Sequence, residues 1–451
     1  MMRSLYSGVA GLKTHQTRMD VIGNNIANVN TTAYKSQSMS FADLMYQTTQ
    51  SASGANPTTG TGGINARQIG LGSKTGSIKT AITTQGASQT TSNPFDLMIT
   101  GENFFVVSNG KENLFTRDGS FYVDGAGNLC MTSTGYNVMG WLADDSTGKI
   151  KQDIVKPLQI MSPKYMTYPP EETTQAQLSG IIDSKDSNVT NAGKLVTLDF
   201  YDKLGYKYTA KFRVNSTTQD GEFTMNLTDI TDSEGEPLKK SDGTAMTDAD
   251  LQGIFAKDTL LKFDTTTGKI TNAGTSTDLS LTLDFTSAGV DSMSGVKVNI
   301  DCKTLVDYNN NGASTITCTR GDTDGVGSGR KLGEMSGVSI QKDGKIYATY
   351  DNGQSRLLGQ IATAQFANAS GLEKRGDNLY SATQNSGDFD NIGVDITAGG
   401  GYMNSGVLEM SNVDLSAEFT EMITTQRGFQ ANSRIITVSD TLLEELTNLK
   451  R

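Results

Sequence analysis

Apolar residues recur at helical spacing only at the two ends of the chain. Near the N-terminus Leu5, Val9, Leu12, Met19 and Ile26 fall at alternating steps of four and three. Gln16 and Gly23 complete that seam as polar or small positions, and Ile22 and Val29 widen it. Such spacing predicts a helix over residues about 4–28 that packs along another helix. The run Gly23-Asn24-Asn25-Ile26-Ala27-Asn28-Val29-Asn30-Thr31-Thr32 should end it near Asn28, since Asn and Gly tolerate left-handed backbone. Towards the C-terminus Leu415, Phe419, Met422, Phe429, Ile436 and Leu443 repeat the four/three stepping, with Ile423 and Leu446 beside them. Gln426, Ser433 and Asp440 interrupt the seam, and Ser411-Asn412-Val413-Asp414 has the S-x-x-D form of a helix start. Gly428 lies inside this helix and should cost about 1 kcal/mol relative to Ala. Helices so interrupted are marginal alone and need a partner.

The interior reads differently. Residues 44–95 lack Asp and Glu and are rich in Ser, Thr, Gly and Gln, as a linker is; Ile64, Ile69, Leu71, Ile78 and Ile82 suggest extended structure where something covers it. Strand runs follow at Leu97–Ile99, Phe104–Val107, Phe115–Val123 and Tyr136–Trp141, with Asp124-Gly125 and Gly127-Asn128 as hairpin turns. Leu195–Tyr201, Tyr206–Val214 and Leu279–Phe285 form a second β region, and Ile346–Tyr350 and Leu358–Phe366 resume the style of the first. The expected architecture is mainly β with terminal α-helices, nested and multidomain. The N- and C-terminal helices pair (1–43 and 405–451), an extended linker spans 44–95, a β domain is split (96–174 and 336–404), and a further β domain is inserted (175–335).

Composition narrows the function classes. A net charge of −11 argues against a nucleic-acid binder. No apolar run is long enough for membrane insertion, and the first residues lack the apolar core of a cleaved signal peptide. The ends are oppositely charged. Arg3, Lys13, Arg18 and Lys35 against Asp20 give +3 over residues 1–35. Arg427, Arg434, Lys450 and Arg451 against Glu409, Asp414, Glu418, Glu421, Asp440, Glu444 and Glu445 give −3 over 409–451.

Candidate chemistry is sparse. Gly70-Leu71-Gly72-Ser73-Lys74-Thr75 fails the phosphate-loop pattern, which needs Gly before the Lys and at the position of Gln68. Asp307-Tyr308-Asn309-Asn310-Asn311-Gly312 matches half a calcium loop, but Cys318 holds the place of the bidentate Glu, and an Asn-rich turn accounts for the same residues. Cys130, Cys302 and Cys318 make neither a disulfide framework nor a metal knuckle; a Cys302–Cys318 bridge stays open. The sole histidine, His15, is placed on the polar side of the first helix, exposed to solvent. No catalytic, cofactor or metal residue is assigned, and an enzyme is not expected.

The terminal segments resemble the bacterial flagellar rod and hook axial protein family. Ala10-Gly11-Leu12 and Asp20 through Lys35, with Asn24, Asn25, Asn28, Asn30 and Thr31, are similar to its N-terminal signature. Ser411-Asn412-Val413-Asp414-Leu415 through Gln426-Arg427-Gly428-Phe429-Gln430-Ala431-Asn432 is similar to its C-terminal one. Thr116-Arg117-Asp118-Gly119-Ser120-Phe121 and Gly135–Gly140 look like shared β-domain motifs. Ala33 stands where the family usually has Gly, and Gly428 where it usually has a better helix former. The resemblance implies a structural subunit of a helical homopolymer outside the cell, exported by the flagellar type III apparatus without a cleaved signal. The large insert points to the hook members, which form a curved universal joint, ahead of the distal-rod members. Implied partners are copies of itself, the distal rod, the hook cap and the hook–filament junction proteins. The polymer interface would use Leu5, Val9, Leu12, Met19, Ile22, Ile26, Leu415, Phe419, Met422, Phe429, Ile436 and Leu443. The end helices would be free to stay unfolded until assembly. A carbohydrate-binding role for the insert is the competing reading, though no aromatic cluster in 180–335 speaks for it.

Overall fold

The computed structural model describes residues 2–54, 60, 62–145, 147–274, 279–286 and 288–449. Lys450 and Arg451 of the C-terminal charge count, and 55–59 and 61 of the 44–95 stretch, lie outside the described residues. The chain divides into two compact units. One holds Met1–Pro163, Val338–Ala348 and Arg356–Arg451; the other holds Lys164–Gly337 and Thr349–Ser355. The break falls earlier than the 174/175 boundary expected from sequence. Its physical reason is the short strand Thr167–Tyr168, whose Thr167 pairs with Glu334 and so ties this segment to the second unit.

In the first unit, a helix over Met2–Ala27 and a helix over Leu415–Asn448 pack against each other. Four strands follow the first helix: Gln37–Asp43 (β1), Tyr46–Gln50 (β2), Arg67–Gly70 (β3) and Ser73–Thr80 (β4). β1 pairs antiparallel with β4, Met39 opposite Ile78, and β2 pairs with β3, Gln47 opposite Ile69. The stretch expected as a linker is therefore two antiparallel ribbons. Every residue of β2 and β3 is exposed, so neither strand alternates apolar with polar, the signal by which strands are read.

The β body of this unit is built around Phe104–Ser108, which pairs with Asn113–Thr116 on one side and Asn137–Leu142 on the other. Leu379–Ser381 extends the sheet beyond Asn113–Thr116, and Thr363–Ala364 joins Phe104–Ser108. Phe104, Phe115, Trp141, Phe366 and Tyr380 fill its core, and Phe366 meets Phe104 and Phe115 edge to face. The Trp141 indole donates to the carbonyls of Asp153 and Ile392, both at 2.9 Å, so its one polar atom is satisfied on burial. Gly119 explains the glycine of the Thr116–Phe121 motif: a Cβ there would sit 1.7 Å from the Leu97 carbonyl oxygen.

The second unit is a sandwich. A five-stranded antiparallel sheet runs Lys194–Tyr201, Lys207–Ser216, Glu222–Asp232, Thr259–Phe263, Ile270–Ala273. In the other sheet Gln175–Ile182 lies parallel to Lys297–Asp301 and Leu305–Asp307 and antiparallel to Thr317–Arg320. Phe200 of the first stacks on Phe285 beside the second, centroids 5.2 Å apart, within one continuous core. The Asp307–Gly312 turn points N–H donors inward: the Asp183 carboxylate accepts from Asn310 at 2.7 Å and Gly312 at 2.8 Å. The protein's own anion fills this turn, which is the Asn-rich turn and not a calcium loop. Cys302 and Cys318 are free and buried, and burial pushes both thiols up to about 12, which leaves them unreactive near neutrality.

Several turn carboxylates of this unit are held below the usual carboxylate range. The Lys297 ammonium brings Asp284 down to about 2. Lys240 lowers Asp250, and backbone N–H groups lower Asp183 and Asp264. A carboxylate depressed in the folded state stabilises it fully above the unfolded value of about 3.9, and that contribution fades as pH falls through the folded value. The thermal midpoint of the second unit, followed by calorimetry of the full chain, should be flat from pH 7 to about 5 and fall steadily below about 4.

Candidate functional site: the paired terminal helices and their buried charge cluster

Glycine and small polar residues let the two helices approach closely. Gly8 faces Ile436, and Gly11 lies where a Cβ would come within 2.8 Å of the Asn432 amide. Gly428 faces the His15 ring, which a Cβ would meet at 2.6 Å. Gly428 is thus the notch that admits His15, rather than a flaw in the helix. His15 is correspondingly not an exposed side chain: its ring is half-buried, 5.3 Å and edge-on from Phe41 of β1. Arg18 donates to Glu421 at 3.0 Å across the pair, a half-exposed bridge contributing about 0.5 kcal/mol.

Of the residues expected along the seam, Ile22 is buried, and Leu5, Leu12, Met19, Ile26, Met422, Phe429, Ile436 and Leu443 are half-buried. Val9, Leu415 and Phe419 stay exposed, at 54%, 38% and 50%. A further row on the C-terminal helix, Ile423, Ile435, Val438, Leu442 and Leu446, is exposed as well, and so are Met2 and Tyr6 on the N-terminal helix. Periodicity alone did not separate these two flanks.

The Asn-rich signature works at the root of the pair. Asn25 is fully buried; its amide donates to the Gln37 carbonyl at 2.7 Å and to Glu418 at 2.8 Å, and its oxygen accepts from the Gln37 N–H at 2.9 Å. One side chain thereby ties first helix, β1 and last helix. Asn24 donates to the Tyr34 hydroxyl, and Asn28 accepts from Thr31. Asn412 accepts from the Ser36 N–H at 2.7 Å and donates to the Ala81 carbonyl. Asp414 caps the C-terminal helix through the N–H groups of Ser416 and Ala417, so the cap is Asp414 while Ser411 holds the Val413 N–H ahead of it. Asn30, Gln426 and Arg427 are exposed. Ala33 takes φ +55, the left-handed backbone for which glycine is the easier residue.

Beneath this root lies a cluster that sequence reading did not assemble. Lys35, with no exposed surface, donates to Glu409 at 2.7 Å and to the Thr84 carbonyl at 2.7 Å. The same carboxylate oxygen accepts the Gly86 N–H at 2.9 Å. Arg117 lies 3.8 Å from the other Glu409 oxygen, donates to the Gly101 carbonyl at 2.6 Å and stacks over Phe104. Burial holds both Lys35 and Arg117 below their ordinary values, and the Glu409 charge pulls each part of the way back. Two cations therefore share one buried anion. The signal was faint: each residue adjoins a recognisable motif, but no spacing links positions 35, 117 and 409.

Three family profiles match. "Flagella basal body rod protein" covers residues 5–35, "Flagellar hook protein FlgE/F/G D1 domain" covers 98–197, and "Flagellar basal body rod FlgEFG protein C-terminal" covers 404–449. The chain is 36% identical to the flagellar hook protein FlgE of Treponema pallidum over 473 aligned residues, spanning all of both chains. The chain belongs to the flagellar hook protein family. The hook protein of Borreliella burgdorferi is also 36% identical over the full length of both, and the basal-body rod protein FlgG of Bacillus subtilis is 29% identical over the full length of both. Each charge of the buried cluster falls in a different region matched by the hook and rod profiles: Lys35 in the first, Arg117 in the second, Glu409 in the third. Among the described residues, no helix is long and apolar enough to cross a membrane.

Proposed function

We propose that this chain is the structural subunit of a bacterial flagellar hook, joining copies of itself head to tail into a helical tube that bends while it transmits torque. The observation that carries the reading is the apolar row Phe419, Ile423, Ile435, Val438, Leu442 and Leu446, left open to solvent on helices already paired within one chain. Exposed apolar side chains in this number along one helix mark a contact site, and head-to-tail contacts that do not close generate filaments. Leu5, Val9, Leu12, Met19, Ile22, Ile26, Leu415, Met422, Phe429, Ile436 and Leu443 serve the same inner layer, some within the chain and some between copies. In this reading the Asn and Asp motif residues set the root from which the pair projects. The domains then run as a terminal helical pair, a split β domain and an inserted outer β domain. Rod, cap and junction proteins are the partners at the two ends of the tube, and the flagellar type III apparatus is the route out.

Ile423→Asp with Val438→Asp tests this. Both are surface positions, so folding stability should move by only about 0.5 kcal/mol. Tubes seen by electron microscopy with the parent chain should be absent with the variant; tubes of normal yield would overturn the assignment. The full-length match to a rod protein makes a distal-rod subunit the second reading, and a straight, stiff polymer would favour it over a curved one.

A further inference from the structure

His15 is the only histidine in the chain, and it packs into the helix pair at Gly428. Its ring fills the notch at Gly428 and meets the Phe41 ring. Nδ1 is buried and has no hydrogen-bond partner among the described residues. Thr425, 2% exposed and one turn before Gly428, has a buried hydroxyl in the same condition. A neutral imidazole tolerates this place, because it can leave Nδ1 bare and carry its proton on Nε2. An imidazolium carries protons on both nitrogens, so Nδ1–H becomes a buried donor without an acceptor, on a ring that also bears a charge.

The charged groups around the ring do not compensate. On its own helix Arg18 lies one turn along, a cation already placed over Phe41. On the C-terminal helix Glu421 is taken by Arg18, Glu418 by Asn25, and Arg427, next to Gly428, is a further cation. From β1 the contact is the Phe41 ring, while Asp43 turns to the Tyr46 hydroxyl; β4 brings Ser73, bonded to Thr14, and Lys74.

We propose that His15 is an acid-operated latch: a proton taken from solvent places an unpaired charge in the Gly428 notch and parts the terminal helices while the β body stays folded. Burial first, and Arg18 second, hold the ring below its ordinary value, in keeping with this geometry. A histidine depressed in the paired state favours pairing above its free value of about 6.5, and that contribution is lost as pH falls from there towards the folded value. Glu418, which burial pushes up, titrates in the opposite sense and is common to parent and variants. The latch is a property of the single chain and does not need the polymer.

The test uses the full chain labelled with 13C at histidine, which gives one resonance. Its titration should fall below 6.5. Hydrogen exchange, corrected for intrinsic rates, should show protection of residues 8–22 and 425–439 falling up to about tenfold per pH unit below about 6.5. Protection of Phe104–Ser108 should stay constant there. His15→Phe should remove the step. His15→Gln provides a second non-titrating side chain should Phe not fit the notch. A resonance titrating at or above 6.5 would overturn the proposal, and so would helix protection that ignores the titration or a step that survives in both variants.

Discussion

Glu409→Ala is expected to destabilise the first unit by about 3–5 kcal/mol, the range for removing one partner of a buried ion pair. The substitution leaves Lys35 and Arg117 as two buried cations, and it strands the Gly86 N–H as well. Glu409→Gln should recover part of the loss by keeping acceptors for Lys35 and Gly86 without the charge. Denaturant unfolding, read from Trp141 fluorescence in that unit, checks the magnitude. The double variant Glu409→Leu with Lys35→Met should be less damaging than Glu409→Ala alone, since it leaves one buried cation, Arg117, without its counter-charge rather than two. Equal stability of parent and Glu409→Ala would show that the cluster does not clamp the root of the helices.

Gly86→Ala should cost about 3 kcal/mol, at the upper end of overpacking effects. An added Cβ would lie 1.9 Å from the Met410 carbonyl oxygen and 2.9 Å from its carbon, both backbone atoms that no rotamer change can move aside. The strand pairing Val407–Glu409 with Ser88–Thr90 must then open, and Met410 N–H loses its bond to the Ala87 carbonyl. The damage should be local. Amide protection over residues 407–412 should fall, while that of the second unit is unchanged. A loss spread evenly over the chain would argue that the pairing of Val407–Glu409 with Ser88–Thr90 does not open by itself.

What the sequence made legible follows from what periodicity can encode. The two long helices and the Phe104–Val107, Phe115–Val123 and Tyr136–Trp141 strands were visible because burial on one face or both leaves an apolar rhythm. The ribbons of β1 to β4 were not, because Tyr46–Gln50 and Arg67–Gly70 expose both faces in the single chain. Gly428 was misread because helix propensity treats a glycine as a loss, whereas the facing His15 makes its missing side chain a fit. The placement of His15 failed for the same reason: a notch on the partner helix turned a polar flank inward. The charge cluster was out of reach because its members stand near positions 35, 117 and 409, and only the folded β body brings them together.

The Lys35–Glu409 contact joins residues 374 positions apart. Closing so long a loop costs only a few kcal/mol more than closing a short one, but contacts of such high order form late. A growing or threading chain that emerges N-terminus first therefore presents its first helix long before any counter-charge for Lys35 exists. Until Glu409 arrives, the ammonium has every reason to remain hydrated and the segment around it to remain loose. The arrival of the segment that carries Glu409 and the C-terminal helix then works as a check, so that a subunit cut short upstream of that carboxylate lacks both the counter-charge for Lys35 and the partner against which its leading helix packs.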